Sequence, residues 1–171
     1  MTVKNFSVRV ATPGDAQGVT ALLRDSYPVL MQSAYESAIL GPALELMTSA
    51  QPALLASGTY YVAEAADRLI VGCGGWTKEH GDIVVMEGVG HIRHFGTHPE
   101  WINRGIGKAI YHQCEAAARE AGLSRFDCQS SLNAEGFYSA CGFERIEQED
   151  IEMGQGAVLP TVYMQCKINS A

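Results

Sequence analysis

"HPEWINRGIGKAIYHQCE", residues 98–115, places Gly105 and Gly107 at the head of a stretch whose apolar residues recur at helical spacing. Ile106, Ile110, Cys114 and Ala117 mark one face of that helix, which runs to Ala121 and stops at Gly122, a good left-handed end residue. Glycine is a poor helix former, so two glycines at a helix start need a reason. The free N–H groups of a first helical turn, together with the positive end of the helix dipole, form an anion site. Removing side chains there lets a phosphate touch the backbone, and Arg104 and Lys108 add positive charge. Two familiar cradles do not fit. A P-loop needs a Ser or Thr after its lysine, and Ala109 stands there. A dinucleotide fingerprint needs glycine where Ile110 stands. The local pattern alone also allows a plainer reading, in which the glycines let the helix pack closely on a sheet.

Working outward, "HIRHFGTH" (91–98) predicts a strand that ends before Pro99. Upstream, "FSVRVA" (6–11) alternates as a half-buried strand does, and Thr12, Pro13 and Asp15 open a helix with a box-like cap. A second helical region covers about 29–50 and is expected to break at Pro42. "GTYYVAEA" (58–65) and "RLIVGCGGWTKE" (68–79) predict strands around a turn at Ala66–Asp67, and the segment 81–90 is turn-rich. Downstream, "RFDCQS" (125–130) predicts a strand, "NAEGFYSACG" (133–142) a short helix capped by Asn133, and "FERIEQEDIEM" and "TVYMQCKI" the closing strands. No repeat or linker divides the 171 residues, so the chain reads as one mixed α/β domain over 1–171.

Composition narrows the function. A formal charge of −7 argues against nucleic-acid binding, which needs basic phosphate contacts. No stretch approaches the ~18 apolar residues of a membrane span, and "MTVKNFSVRVATPGD" lacks the apolar core of a signal peptide. The five cysteines (73, 114, 128, 141 and 166) are scattered, with no metal-ligand or disulfide spacing, as expected of reduced thiols in a cytoplasmic protein without a metal site.

Two motifs together are more specific than either alone. "HPEWINRGIGKAI" resembles the acyl-CoA motif of the GCN5-related N-acetyltransferase superfamily, written Q/R-x-x-G-x-G/A, and "SSLNAEGFYSACGF" (130–143) resembles that family's second signature. The two blocks span residues 88–143 in the family's order. The resemblance implies a single-domain fold with a mixed central sheet of about seven strands, helices on its flanks, and a splayed strand pair at the acyl-CoA site. It implies an acetyl-CoA-dependent N-acetyltransferase that passes acetyl directly to the primary amine of a small molecule in a ternary complex, with acetyl-CoA as cosubstrate and no metal. One position departs from the motif: Ile102 replaces the usual Gln or Arg, so one polar contact of the loop is missing.

The resemblance also assigns roles. A bulge at Phe95, Gly96 and Thr97 would offer backbone groups to the pantetheine arm, and an N–H group there would stabilise the oxyanion, a contribution of ~3 kcal/mol. The loop and first helical turn (Asn103, Arg104, Gly105, Ile106, Gly107, Lys108) would take the pyrophosphate, and Asn133 the pantetheine. Tyr138 would protonate the leaving thiolate. The amine must attack in its neutral form, so a base is needed. The family's spacing, fourteen residues before the first motif glycine, gives His91, with Glu87 next. Strict alternation groups His91 with Arg93, which would orient the acceptor, and Phe95 on one face of the strand, leaving Ile92 and His94 on the other. His80, His94 and His98 carry no assignment, and no cysteine is needed as a nucleophile.

A non-catalytic acyl-CoA sensor is the alternative, and a purely structural domain a more distant one. The acceptor carries no motif. Residues 26–55 and 80–90 should shape its site, with Tyr27, Met31, Tyr35 and Trp76 as candidate aromatic and apolar lining. A small amine, an amino acid, an antibiotic and a protein N-terminus all stay open as acceptors. The last strand could pair between subunits, which leaves a homodimer open.

Overall fold

The structure is a computed structural model that describes residues 5–169. Seven strands form one sheet: β1 (Phe6–Val10), β2 (Tyr60–Ala65), β3 (Ile70–Thr77), β4 (Val89–Thr97), β5 (Arg125–Ser131), β6 (Glu144–Gly154) and β7 (Ala157–Lys167). Their spatial order is β1-β2-β3-β4-β5-β7-β6, antiparallel throughout except for the parallel pair β4–β5. The helices are α1 (Ala16–Met31), α2 (Ser37–Met47), α3 (Pro52–Leu55), α4 (Ile106–Glu120) and α5 (Glu135–Ala140). A parallel pair needs a crossover, and α4 supplies it between β4 and β5. The expected mixed seven-strand sheet with flanking helices is present as one layered domain. No helix among the described residues is long and apolar enough to cross a membrane.

Each face of the sheet has its own core. Ile106, Ile110 and Tyr111 of α4 and Tyr138 of α5 share one core with Ile92 and Phe126 of the sheet, whereas Leu22 and Leu23 of α1 pack on Tyr60, Val62, Ile70 and Cys73 from the other side. Burying side chains of this size contributes roughly 1.5–3 kcal/mol each. α2 rests on β7 through Leu40, Ala43 and Leu159. Asp15 closes the start of α1 by accepting the Thr12 N–H at 2.8 Å and a forked ion pair from Arg9.

Two expectations about helices change. The long region at 29–50 breaks at residues 32–36, not at Pro42, which sits exposed inside α2. Pro28 likewise lies inside α1. Each proline removes one N–H bond, a loss these helices absorb through the packing of their buried faces. Asn133 caps nothing: it lies in a 3-10 turn (Leu132–Ala134) whose cap position is Ser131, and Ala134 precedes α5.

Candidate functional site

β4 and β5 are partners only at Val89–Arg125, Gly90–Phe126 and His91–Asp127, and then part. The cause lies on the other edge of β4. Between the pairs Cys73–Gly96 and Gly75–Arg93, β4 contributes one residue more than β3, and His94 adopts φ +47°. A bulge of this kind bends a strand away from its neighbour. It is seated at His94, one to three residues ahead of the expected Phe95–Thr97, and Gly96 is not its left-handed residue. Gly96 serves another need: a Cβ there would lie 3.2 Å from Leu23 and 3.4 Å from Tyr27, so its absence lets α1 approach.

The bulge also corrects the facing of the strand. Phe95 joins Ile92 on the α4–α5 face, against Phe137 and Tyr138 at ring distances of 6.1 and 6.0 Å, instead of sharing a face with His91 and Arg93. Gly74 makes the room, since a Cβ there would meet the Phe95 ring at 2.6 Å. On the α1 side the bulge is held by its carbonyls. His94 O accepts from Tyr60 Oη (2.9 Å), Phe95 O from Tyr27 Oη (2.7 Å), and Thr97 O from Ser26 Oγ (2.6 Å).

Where the strands part, a cleft of about 620 Å³ opens. One mouth lies at the start of α4. The loop before it turns through two left-handed residues, Asn103 (φ +60°) and Gly105 (φ +80°), and Gly105 is the residue from which α4 begins. A Cβ on Gly105 would meet no atom, so the cradle stands open, and glycine is needed there for its backbone angle alone. Gly107 and Lys108 line the cleft beside it. Close helix–sheet packing depends instead on Gly72 in β3, where a Cβ would lie 2.3 Å from Ile106.

The structure brings most of the sequence candidates to this wall: Phe95, Gly96, Thr97, Asn103 and Asn133, and, with the α4 turn, Tyr138. The Asn133 side chain makes no hydrogen bond among the described residues. Ile102 also lines the mouth, half out in solvent. The Arg104 side chain stands off the wall with its guanidinium 5.6 Å from the Trp101 ring centre. Burial pushes the Tyr138 phenol well above its ordinary pKa of 10, so it keeps its proton.

Neither proposed base lies on the wall. Glu87 occupies an exposed turn before β4. His91 is buried at the closed end of the strand pair, beside Asp127, with the His80 ring 5.5 Å away. Burial lowers the His91 pKa while Asp127 opposes that shift. Arg93 is occupied by Thr77 Oγ1 (3.0 Å), Glu79 O (3.3 Å) and Gln51 Oε1 (3.2 Å).

His94, unassigned in the sequence, does line the cleft. Its tautomer follows from its neighbours. Arg93 can only donate, so Gln51 Oε1 accepts; Gln51 Nε2 therefore donates to His94 Nε2 at 3.1 Å, leaving the ring proton on Nδ1. Burial, with Arg93 nearby, pushes the His94 pKa down to about 4. It is thus a neutral donor. The sequence signal for it would have been a positive φ, which a histidine does not announce.

The second mouth opens between α1 and α2, where Tyr27, Leu30, Met31 and Met47 line the cleft with Gln129 of β5. Of the candidate acceptor residues, Tyr27 and Met31 are there. Tyr35 is turned away, bonding Pro160 O and the Leu132 N–H, and Trp76 belongs to the core under α4. No cluster of three or more metal-ligating side chains exists among the described residues.

Comparison with known proteins agrees with this geometry. A family model described as "Acetyltransferase (GNAT) domain" matches residues 56–145. No curated protein matches the chain. Among solved structures, a GCN5-related N-acetyltransferase of Rhodopseudomonas palustris is similar over 98% of this chain and 99% of its own, at 19% identity and TM-score 0.78. The PaiA N-acetyltransferase of Thermoplasma acidophilum, in complex with coenzyme A, is similar over 95% and 99%, at 17% identity and TM-score 0.70. N-acetylglutamate synthase of Neisseria gonorrhoeae, complexed with coenzyme A and L-arginine, is similar over 98% of this chain but only 34% of its own, at 15% identity and TM-score 0.65.

Proposed function

Since the chain belongs to the GNAT family and is an N-acetyltransferase, we propose that it transfers acetyl from acetyl-CoA straight to the primary amine of a small molecule while both are bound. One observation carries this reading: a strand pair that parts at a bulge and opens onto the bare N-terminal turn of α4. The residues fit acetyl-CoA. Gly105, with nothing near its missing side chain, and the N–H groups of Ile106, Gly107 and Lys108 would hold the pyrophosphate. The pantetheine would run along Phe95–Thr97 past Asn133. The missing polar side chain at position 102 weakens this grip without removing its backbone donors.

Bound acetyl-CoA supplies a thioester whose carbonyl is open to attack. The protein aligns the amine with it, which replaces a two-body encounter by a fixed geometry. Backbone N–H groups of the splayed half of β4 and the neutral His94 Nδ1–H are the donors available to the charge that develops on oxygen. Tyr138 keeps a proton for the departing sulfur. With neither expected base on the wall, the amine loses its proton to relayed water. His91, held in its basic form by burial, is the candidate end of that relay, and Glu87 takes no part. The chemistry needs no metal and no cysteine nucleophile. A cytoplasmic setting suits this cosubstrate.

Calorimetric titration of acetyl-CoA tests the reading. Wild type should bind in the micromolar range. Gly107→Trp, shown to be folded, and Lys108→Glu should each weaken or abolish the heat of binding. No binding by wild type would end the proposal, and binding without transfer to any amine would favour a sensor.

A further inference from the structure

Several of the polar groups at the acceptor end of the cleft are already engaged. Ser26 Oγ is bonded to Thr97 O, Tyr27 Oη to Phe95 O, and His94 Nε2 to Gln51. Leu30, Met31 and Met47 complete the wall with apolar surface. Among the described residues lining the whole cleft, none is acidic, and the charged one, Lys108, stands in the first turn of α4 at the other mouth. Arg93, the nearest cation in sequence to His94, is tied to Thr77, Glu79 and Gln51 off the wall.

Ser33, exposed at the rim, and Ser131 and Asn133 farther along the wall keep polar groups without a partner among the described residues, and one more acceptor lies on the sheet beside the apolar surface. Gln129 lines the cleft and donates its Nε2 to Glu149 Oε1 at 3.1 Å, which fixes the amide and leaves Oε1 without a partner among the described residues. The Glu149 carboxylate behind it polarises the amide, making Oε1 a better acceptor for an N–H group. The site thus offers a polarised amide acceptor on the sheet beside the apolar surface of Leu30, Met31 and Met47. A second ammonium or a carboxylate on the acceptor would meet no charged side chain on this half-buried lining, and partly desolvating an unpaired charge costs more than burying a methylene.

We propose that the acceptor is a monoamine with an uncharged apolar body, an alkyl or aralkyl amine, recognised through Gln129 Oε1 and the Leu30–Met31–Met47 surface. Amino acids and polyamines are disfavoured because no charged side chain lines this end of the cleft, and the Glu149 carboxylate behind it is already engaged by the Gln129 amide. This inference rests on the acetyltransferase reading and names its substrate class. Gln129 is the specificity-determining residue. The reaction balances simply: the amine nitrogen bonds the acetyl carbon, the carbon–sulfur bond breaks, the thiolate takes a proton, and the amine loses one to water.

Matched acceptor pairs give the test with the whole chain and acetyl-CoA: butylamine against 1,4-diaminobutane, and phenethylamine against phenylalanine. Each monoamine should exceed its charged counterpart by about 100-fold in kcat/KM. Gln129→Leu should raise the KM for butylamine about tenfold while the calorimetric affinity for acetyl-CoA stays unchanged, a split that general destabilisation would not give. Met47→Glu should move the preference toward 1,4-diaminobutane. If acetyl-CoA binds but the diamine or phenylalanine is acetylated as well as its partner, or no monoamine is turned over, this inference is overturned while the binding reading stands. Failure of acetyl-CoA to bind wild type overturns both.

Discussion

The two halves of β4 differ more than any two strands of the sheet. Val89–Ile92 is buried, with Val89, Gly90 and His91 paired to β5 and His91 and Ile92 paired to β3. Arg93–Thr97 is half-buried, has lost β5, and is held from the α1 side by three hydroxyls. The first half is ordinary sheet, and its one histidine is removed from the cleft. The second half gives up a row of ladder bonds, and so leaves its backbone open on the cleft. A single inserted residue at His94 separates a structural element from a binding element, and the side-chain hydroxyls of Ser26, Tyr27 and Tyr60 keep the exposed carbonyls satisfied meanwhile.

Changes on the two sides of His94 should therefore differ in kind. Tyr138→Phe, facing the second half, should lower kcat about 100-fold at unchanged acetyl-CoA affinity. A variant that loses binding instead would make Tyr138 a packing residue. Gly72→Ala pushes a methyl against Ile106 at the head of α4. It should cost about 1–3 kcal/mol in denaturant unfolding and weaken acetyl-CoA binding with it. If stability falls and affinity does not, the cradle is independent of the β3 contact. Tyr27→Phe removes one hydroxyl clamp and should cost about 1–2 kcal/mol, with acetyl-CoA affinity reduced in step, whereas a loss of stability alone would detach the clamp from the site.

The last expected effect is on pH. His94 and His80 are both pushed down to about 4 from 6.5 by burial. Between those values the unfolded chain binds more protons than the folded one, so their contribution is complete above about pH 6.5 and is lost as pH falls toward 4. Melting temperature should decline across that window, and His94→Gln should reduce the slope. A slope unchanged by that substitution would mean that His94 titrates normally.

What was legible in the sequence follows the same division. Gly105 and Gly107 announce the α4 cradle because helix starts have a residue code, and the alternation of Phe6–Val10 announces β1 for a similar reason. The bulge has none: its left-handed residue is a histidine, and Gly96, which looked like the bulge glycine, is there to admit Leu23 and Tyr27. Counting two-residue alternation through that hidden insertion turned Phe95 to the wrong face and left His94 unassigned. His91 comes from the spacing of the family motif, which locates a residue on the sheet but not on a cleft that begins only where β5 departs. Asn133 looked like a cap because Asn often is one; its free side chain on the cleft wall became visible only with the turn that carries it. The acceptor wall depends on which faces α1 and α2 turn to the sheet, and no local pattern encodes that.

That acceptor wall has one more property. Its helical residues, Ser26 through Met47, form one unbroken run of chain between β1 and β2, whereas the elements of the acetyl-CoA mouth run from β4 to α5. On the proposed reading, choice of acceptor and choice of donor would be written largely in separate paragraphs of the gene. Exchanging the α1–α2 segment would then re-address the enzyme as a cassette, provided the Ser26 and Tyr27 hydroxyls that hold the β4 carbonyls are kept, with Gln129 edited elsewhere.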